Sequence, residues 1–351
     1  MNKWRPLLLS LVVFFVFSVS EAFGAGYVDN HMHLWSSYLN HFWPPVPEET
    51  VVYEGETYTK PTEGTRKQLL EALDHAGFTN GVALSGAYFW GSAWLPKDDL
   101  ENKVKKENNF AAIQCLASGN RLTFVASINP LLDFAPEEVD RCAESLGAKG
   151  LKIHFNASRV DVTNPEHMRK VMEVLSRATA HDMPVLLHYR GFMLPYDPET
   201  FTSFLEETLG TIPGLRIQFA HCTGFGGFSD KTEAVFNALV EFCRKNPDAG
   251  KRVWVDVSGA IVDDALADIW NKMTKALGME KPDFMYRTTP EEAKNLNRSM
   301  RELGLEKVLF ASDWGGSATL QPKPHSQLLR KELGLTNEEF EALLTNRGPW
   351  K

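Results

Sequence analysis

Past residue 26 the chain alternates short apolar, β-branched runs with longer segments in which apolar residues recur every three to four positions. The short runs are YVDNHMH (27–33), NGVALSG (80–86), LTFVASINP (122–130), GLKIHF (150–155), PVLLHYR (184–190), RIQFAHC (216–222), VWVDVSG (253–259) and VLFASDW (308–314). Several are almost continuously apolar, as strands covered on both faces of a parallel sheet are. Of the longer segments, PEHMRKVMEVLSRATAHD sets Met168, Val171, Met172 and Leu175 on one helical face, and Thr163 to Pro165 supply a cap with proline near the first helical position. PETFTSFLEETLG repeats the pattern with Phe201, Phe204 and Leu205. Eight strands alternating with helices predict an α/β protein, a (β/α)8 TIM barrel forming a single domain over residues 25–351. A doubly wound open sheet is the alternative arrangement of the same elements.

Two stretches exceed ordinary loops: residues 34–63, rich in aromatics and proline, and residues 259–300, with Trp270 and a charged helical pattern. In a barrel both hang over the C-terminal face, where active sites form. They read as lids or as loops packed down by their own aromatics.

Residues 1–24 change the picture of where the protein works. Lys3 and Arg5, an apolar run from Leu7 to Val19, and small residues at Ser20, Ala22 and Gly24 follow the order of a signal peptide. The apolar run falls short of the ~20 residues of a spanning helix. Export to the periplasm or beyond the cell is therefore expected, with no stable membrane span after cleavage. A net charge of −8 and no basic run beyond the N-terminus exclude a nucleic-acid surface and leave a small molecule as the expected partner. A homodimer is allowed, although no stretch marks an interface. Cys115, Cys142, Cys222 and Cys243 show no CxxC spacing, so a zinc ribbon or thioredoxin-type site is excluded; free buried thiols are expected, while export leaves disulfides open.

The chemistry begins at YVDNHMH. In a strand, Tyr27, Asp29, His31 and His33 share one face, so the two imidazoles converge. Such a pair often starts a metal site, and two chance histidines would look the same. The other strand ends decide between these: Lys152 and His154, His188, His221 and Asp313 all stand at C-terminal ends, which face one another across a barrel mouth. Singly, His188 or His221 would more often be a hydrogen-bonded core histidine, and Asp313 a helix cap. Jointly they read as a site. His41 and His325, in expected loops, and His75, His167 and His181, in helical segments, follow no such pattern and read as structural.

DNHMH, GLKIHF, the strand-five and strand-six histidines, LFASDW and the closing LLTN at Asn346 resemble the amidohydrolase superfamily, specifically its amidohydrolase-2 branch, from about residue 26 to Asn346. The resemblance implies an enzyme, and its branch holds hydrolases, lactonases and non-oxidative decarboxylases. The donors suit a single divalent ion: His31, His33 and His188 as neutral imidazoles and Asp313 as a carboxylate, with a position left for water or substrate. Zinc is the expected ion, and the mixed N and O set also accepts manganese, iron or cobalt. The resemblance further implies that Asp313 takes and returns the proton of a metal-activated water while His221 orients the nucleophile or stabilises charge on the attacked carbonyl. Lys152, with His154 pointing the same way, is expected to contact substrate or to be a buried lysine held by carboxylates; a carbamylated bridge between two metals is the alternative. Arg190 suits a substrate carboxylate or an internal ion pair, and Trp314 walls the pocket or closes the core. HCTGFGGFSD lacks nucleotide-loop spacing.

Three functions follow, in order. The first is a metal-dependent hydrolase cleaving a C–N or a lactone or ester C–O bond of a small molecule. The second is a decarboxylase of an unsaturated or aromatic acid. The third is an exported metal or small-molecule binder without activity, disfavoured because a pure binder has no need of both Asp313 and His221.

Overall fold

The computed structural model describes residues 26–42, 50–53, 55–61, 63–92, 95–190, 195–276, 286–315 and 317–350. The expected signal peptide, residues 1–24, lies outside them. None of the described helices is long and apolar enough to cross a membrane.

The chain opens with β1 (Val28–Leu34), and the first insertion contributes an antiparallel hairpin of β2 (Thr50–Tyr53) and β3 (Glu56–Thr59). Then come β4 (Asn80–Ser85), β5 (Leu122–Ser127), β6 (Leu151–His154), β7 (Val185–His188), β8 (Ile217–Phe219), β9 (Val253–Asp256) and β10 (Val308–Leu309). β1 and β4 to β10 make one eight-stranded parallel sheet in chain order, with helices between successive strands. The sheet curls until its ends meet. The Asn30 amide donates to the Phe310 carbonyl (3.1 Å), the Asp313 amide donates to the His31 carbonyl (2.9 Å), and Met32 bridges to Trp314. These contacts make a nearly closed barrel of one domain.

The expected helix after β6 runs Pro165–Ala180, with the Asn164 side chain accepting from the amides of Glu166 and His167. Met168, Val171 and Leu175 are buried. The next expected helix is Pro198–Thr208, capped by Asp197. Most strands are shorter than the apolar runs suggest, β8 and β10 by the most. β10 stops at Leu309 because the Ser312 amide turns to the Asp29 carboxylate and Asp313 takes a left-handed φ of 61°. β8 stops at Phe219, and His221, Cys222 and Thr223 follow with φ of 56°, 49° and 69°. All four cysteines are free and buried. His41 ends the helix Ser37–His41 and His325 lies in the helix Pro322–Glu332, so neither sits in a loop as expected.

The first insertion is tied down by side chains. The Ser36 amide and hydroxyl meet the two oxygens of Glu107, a residue only 1% exposed. Glu56 of the hairpin pairs with His75 and Lys323, on the helices after β1 and β10. At the opposite end the barrel is plugged. Val82, Leu84, Val125, Leu186 and Ala220 pack around Trp350, and Gly150, just before β6, lets the ring pass, since a Cβ there would lie 2.3 Å from it.

Removing this plug should be costly: Trp350→Ala is expected to destabilise the fold by about 3–5 kcal/mol, read from the urea midpoint. Glu107 gives a pH signature. Burial, outweighing its bonds to Ser36, raises its carboxyl to about 7, so the folded state holds a proton that the unfolded chain releases. Its stabilising contribution is complete below the ordinary glutamate value of 4.5 and is lost as pH climbs to 7, roughly 3 kcal/mol in all. Glu107→Gln, which mimics the protonated form, is expected to gain on the wild type by that amount between pH 4.5 and pH 8 in denaturant titrations.

Candidate metal centre

β1 carries the His-x-His pair, and its register to β4 shifts between Asp29 and Met32. There the Asp29 Oδ1 accepts the amides of His31 (3.1 Å) and Ser312 (3.0 Å). One buried carboxylate thus pins the residues flanking both ends of the barrel seam. Above it, His31 Nε2 and His33 Nε2 approach the same atom, Asp313 Oδ1, at 3.2 and 2.9 Å. The three ligand atoms lie within 4.8 Å of one another. Asp313 holds its left-handed backbone at this point, a conformation that Asp tolerates and that clusters where function requires it.

The other nitrogen of His31 has its own partner. Its Nδ1 lies 3.3 Å from Asp256 Oδ2 at the end of β9. Both carboxylates beside the ring only accept, and the group that decides between its two nitrogens is the Lys152 ammonium, a donor 3.4 Å from Nε2: Nε2 accepts there, so Nδ1 carries the hydrogen toward Asp256 and Nε2 keeps its lone pair. Nε2 therefore meets an Asp313 oxygen lone pair to lone pair at 3.2 Å, an arrangement that a cation between them reconciles. Two ligands on one tetrahedral ion stand roughly 3.3 Å apart, so the donors fit a divalent metal. Electrostatics agree. Burial, then the charge of Lys152, lowers the His31 imidazole to about 3 and keeps it neutral. Burial pushes the Asp313 carboxyl up, but attraction to His31 and the His33 hydrogen bond override it and hold it well below the usual range. Neutral imidazole and ionised carboxylate are the ligating forms.

The remaining candidates surround this centre. Lys152 is 1% exposed, its Nζ lies 3.4 Å from His31 Nε2, and burial lowers its amine to about 8. His221 Nδ1 lies 2.8 Å from the Ser258 carbonyl, which leaves Nε2 as its acceptor, and its ring is 5.3 Å from that of His31. His31, His221 and Asp256 form a second group of convergent donors. His188 belongs to neither of these triples and borders the second through His221. It stacks on His154 at 3.9 Å and meets His221 edge-on at 4.9 Å, and burial first, then its neighbours, keeps it neutral. His154 in turn stacks against Tyr88 at 5.1 Å while its Nδ1 caps the turn at Ala157. Arg190 is buried, donates to Thr232 Oγ1 (3.2 Å) and the Phe225 carbonyl (3.3 Å), and lies over the Tyr196 ring. Trp314 is 2% exposed and packs its ring against Trp35, which closes the core.

Sequence reasoning missed Asp256, Ser258, Asp29 and Tyr88. Asp256 ends β9 as the other candidates end their strands, so the same positional rule would have found it; it stands inside the run VWVDVSG, read there as strand alone.

A family model described as "Amidohydrolase", Amidohydro_2, matches residues 28–346. A comparison with curated proteins finds no match. Among solved structures, a candidate 2-pyrone-4,6-dicarboxylic acid hydrolase from Pseudomonas putida aligns with TM-score 0.58 and 16% identity, covering 93% of this chain and 98% of that one. A 5-carboxyvanillate decarboxylase from Sphingomonas paucimobilis aligns with TM-score 0.55 and 13% identity, over 92% and 97%. A dihydroxybenzoic acid decarboxylase from Polaromonas sp. JS666, with manganese and 2-nitroresorcinol bound, aligns with TM-score 0.54 and 13% identity, over 92% and 95%. At these identities the likeness concerns the fold.

Because Asp256 orients His31 through the nitrogen that faces away from Asp313, Asp256→Asn is expected to weaken metal binding about 10- to 100-fold, measured by competition against a chromophoric chelator.

Proposed function

The chain belongs to the amidohydrolase family whose model spans residues 28–346, and from that footing we propose that it is a metal-dependent hydrolase of a small carboxylated molecule, acting on a C–N or a lactone or ester bond. The observation that carries the reading is the meeting of His31 Nε2 and His33 Nε2 at one oxygen of a carboxylate held ionised, Asp313. In this reading His31, His33 and Asp313 hold the ion, with His188 one ring further along as the candidate fourth donor. When bound, a divalent ion supplies acidification of a water and polarisation of a carbonyl. Zinc suits the donors; manganese, present in one structural neighbour, suits them too.

The chain's own groups divide the remaining work. Asp313 accepts the proton of the attacking water at its carboxylate and returns it to the leaving group. His221, held through Nδ1 by Ser258, offers Nε2 to orient that water. Lys152 and Arg190 bring positive charge to the mouth, which suits an anionic substrate, and the stacked rings of Tyr88, His154 and His188 give it a flat wall. Export is part of this proposal, on the strength of residues 1–24.

Decarboxylation of an aromatic or unsaturated acid is the second reading. It is favoured by the same buried guanidinium, and structural neighbours are named for both reactions.

A panel of lactones, amides and aromatic acids in ¹⁸O-water separates the readings. Label in the product without CO2 release supports hydrolysis, and CO2 without label overturns it. Asp313→Asn is expected to lower turnover about 10²–10⁴-fold with the melting temperature nearly kept. A chelator is expected to abolish turnover and added zinc to restore it; turnover unaffected by the chelator would remove the metal from the mechanism.

A further inference from the structure

Gln218 stands in the middle of β8, 0% exposed, an amide inside an apolar barrel. Buried amides persist where their hydrogen bonds are met, and each partner of Gln218 can play one role alone, donor or acceptor. Its Oε1 accepts from Trp350 Nε1 at 2.6 Å. Its Nε2 donates to Asp256 Oδ2 at 2.7 Å and to the Asn30 carbonyl at 3.3 Å. Asp256 Oδ2 then meets His31 Nδ1 at 3.3 Å. A continuous line of hydrogen bonds therefore runs along the barrel interior from its plugged end to the histidine that would ligate metal.

The line has a direction. An indole N–H donates and cannot accept, so the atom facing Trp350 must be the amide oxygen. That leaves the NH2 group toward two acceptors, the Asn30 carbonyl and Asp256. A reversed amide would set its oxygen against both, and its nitrogen against the indole N–H. The amide is thus locked at both ends. Gln218 also ties two things together in space: the β1 backbone at Asn30, next to His31, and the carboxylate that orients the His31 ring. Asp256 spends its other oxygen on the His221 amide (3.1 Å) and Ser258, whose carbonyl holds His221 Nδ1. One buried carboxylate, steadied by one amide, serves both histidines.

We propose that Trp350 and Gln218 are positioning residues of the metal centre: their directional hydrogen bonds hold Asp256 as an acceptor for His31 Nδ1–H, and so keep His31 Nε2 free to bind a divalent cation. The inference rests on the metal reading above for its purpose, although the tautomer it requires belongs to the metal-free chain.

The test uses the full chain with ¹⁵N-labelled histidine, metal-free, and a His31→Gln variant to assign the ring. Two-bond ¹H–¹⁵N spectra at neutral pH report the His31 tautomer, and a cobalt(II) titration followed by visible absorption reports affinity. The wild type is expected to show Nδ1–H. Gln218→Met, close in volume and without the amide, is expected to shift His31 toward Nε2–H and to weaken cobalt(II) binding about 10- to 100-fold; Trp350→Phe, which removes only the donor end, should do so by about tenfold. Leu186→Ala, in the same internal cluster but outside the hydrogen-bonded line, should lower stability while leaving tautomer and affinity at wild-type values. A wild-type His31 with Nε2–H overturns the proposal without any variant. So do folded Gln218→Met and Trp350→Phe proteins with wild-type tautomer and affinity, or a Leu186→Ala effect equal to theirs. If Gln218→Met does not fold, Trp350→Phe carries the contrast. A wild type that binds no cobalt(II) while its tautomer still responds to Trp350→Phe removes the metal reading and leaves this inference standing.

Discussion

The seam of the barrel is the constraint on which everything else rests. Residues near the two ends of the described chain are joined there by the Asp313 amide to the His31 carbonyl and by the Asn30 amide to the Phe310 carbonyl. Parallel strands cannot pair by a local turn, so this contact joins segments separated by all the intervening strands and helices. Once it forms, a carboxylate and two imidazoles separated by about 280 positions stand within hydrogen-bonding distance. Asp29 guards the seam from beneath, because a single oxygen of its side chain binds an amide from each side.

Burial sets the electrostatics of what the seam creates. His31, His188, His154 and His221 are all pushed toward neutrality, with loss of hydration first among the causes. Two carboxylates, Asp313 and Asp256, go the other way: burial opposes their charge, and attraction to His31 with hydrogen bonding overrides it. An apolar barrel thus ends in a mouth of neutral nitrogen donors and fixed negative charge, the combination that a hard or borderline cation needs. The three consecutive left-handed residues at His221, Cys222 and Thr223 concentrate backbone strain at this rim.

Much of this was legible in the sequence. Near-continuous apolar runs alternating with amphipathic helices specified the parallel barrel, and polar residues at the ends of those runs marked its mouth. Period-two alternation put His31 and His33 on one side. Other features follow from contacts that no local pattern carries. The runs VLFASDW and RIQFAHC do not reveal that their last residues leave the sheet in left-handed turns, since the first turn depends on Asp29 at the seam and the second on the Asp256 carboxylate that takes the His221 amide. His188 shares its strand-end position with the others, and its stacking on His154 and edge contact with His221 are contacts that no local pattern carries. Asp256 lies inside the run VWVDVSG, whose strand ends three residues before the run does. Gln218, a lone amide within RIQFAHC, was an unheeded sign of an internal hydrogen bond.

The position of Trp350 bears on how the molecule is made. Synthesis proceeds from the first residue, so β1 and its neighbours leave the ribosome long before the segment that seals the seam and the ring that fills the opposite end. Until then a nascent chain carries an open, curved sheet with unsatisfied edges on both sides and a hollow interior, the kind of surface that invites pairing with other chains. Closure of this barrel therefore waits for the segments from Val308 to Trp350, and the open edges stay available to other chains until those segments are made.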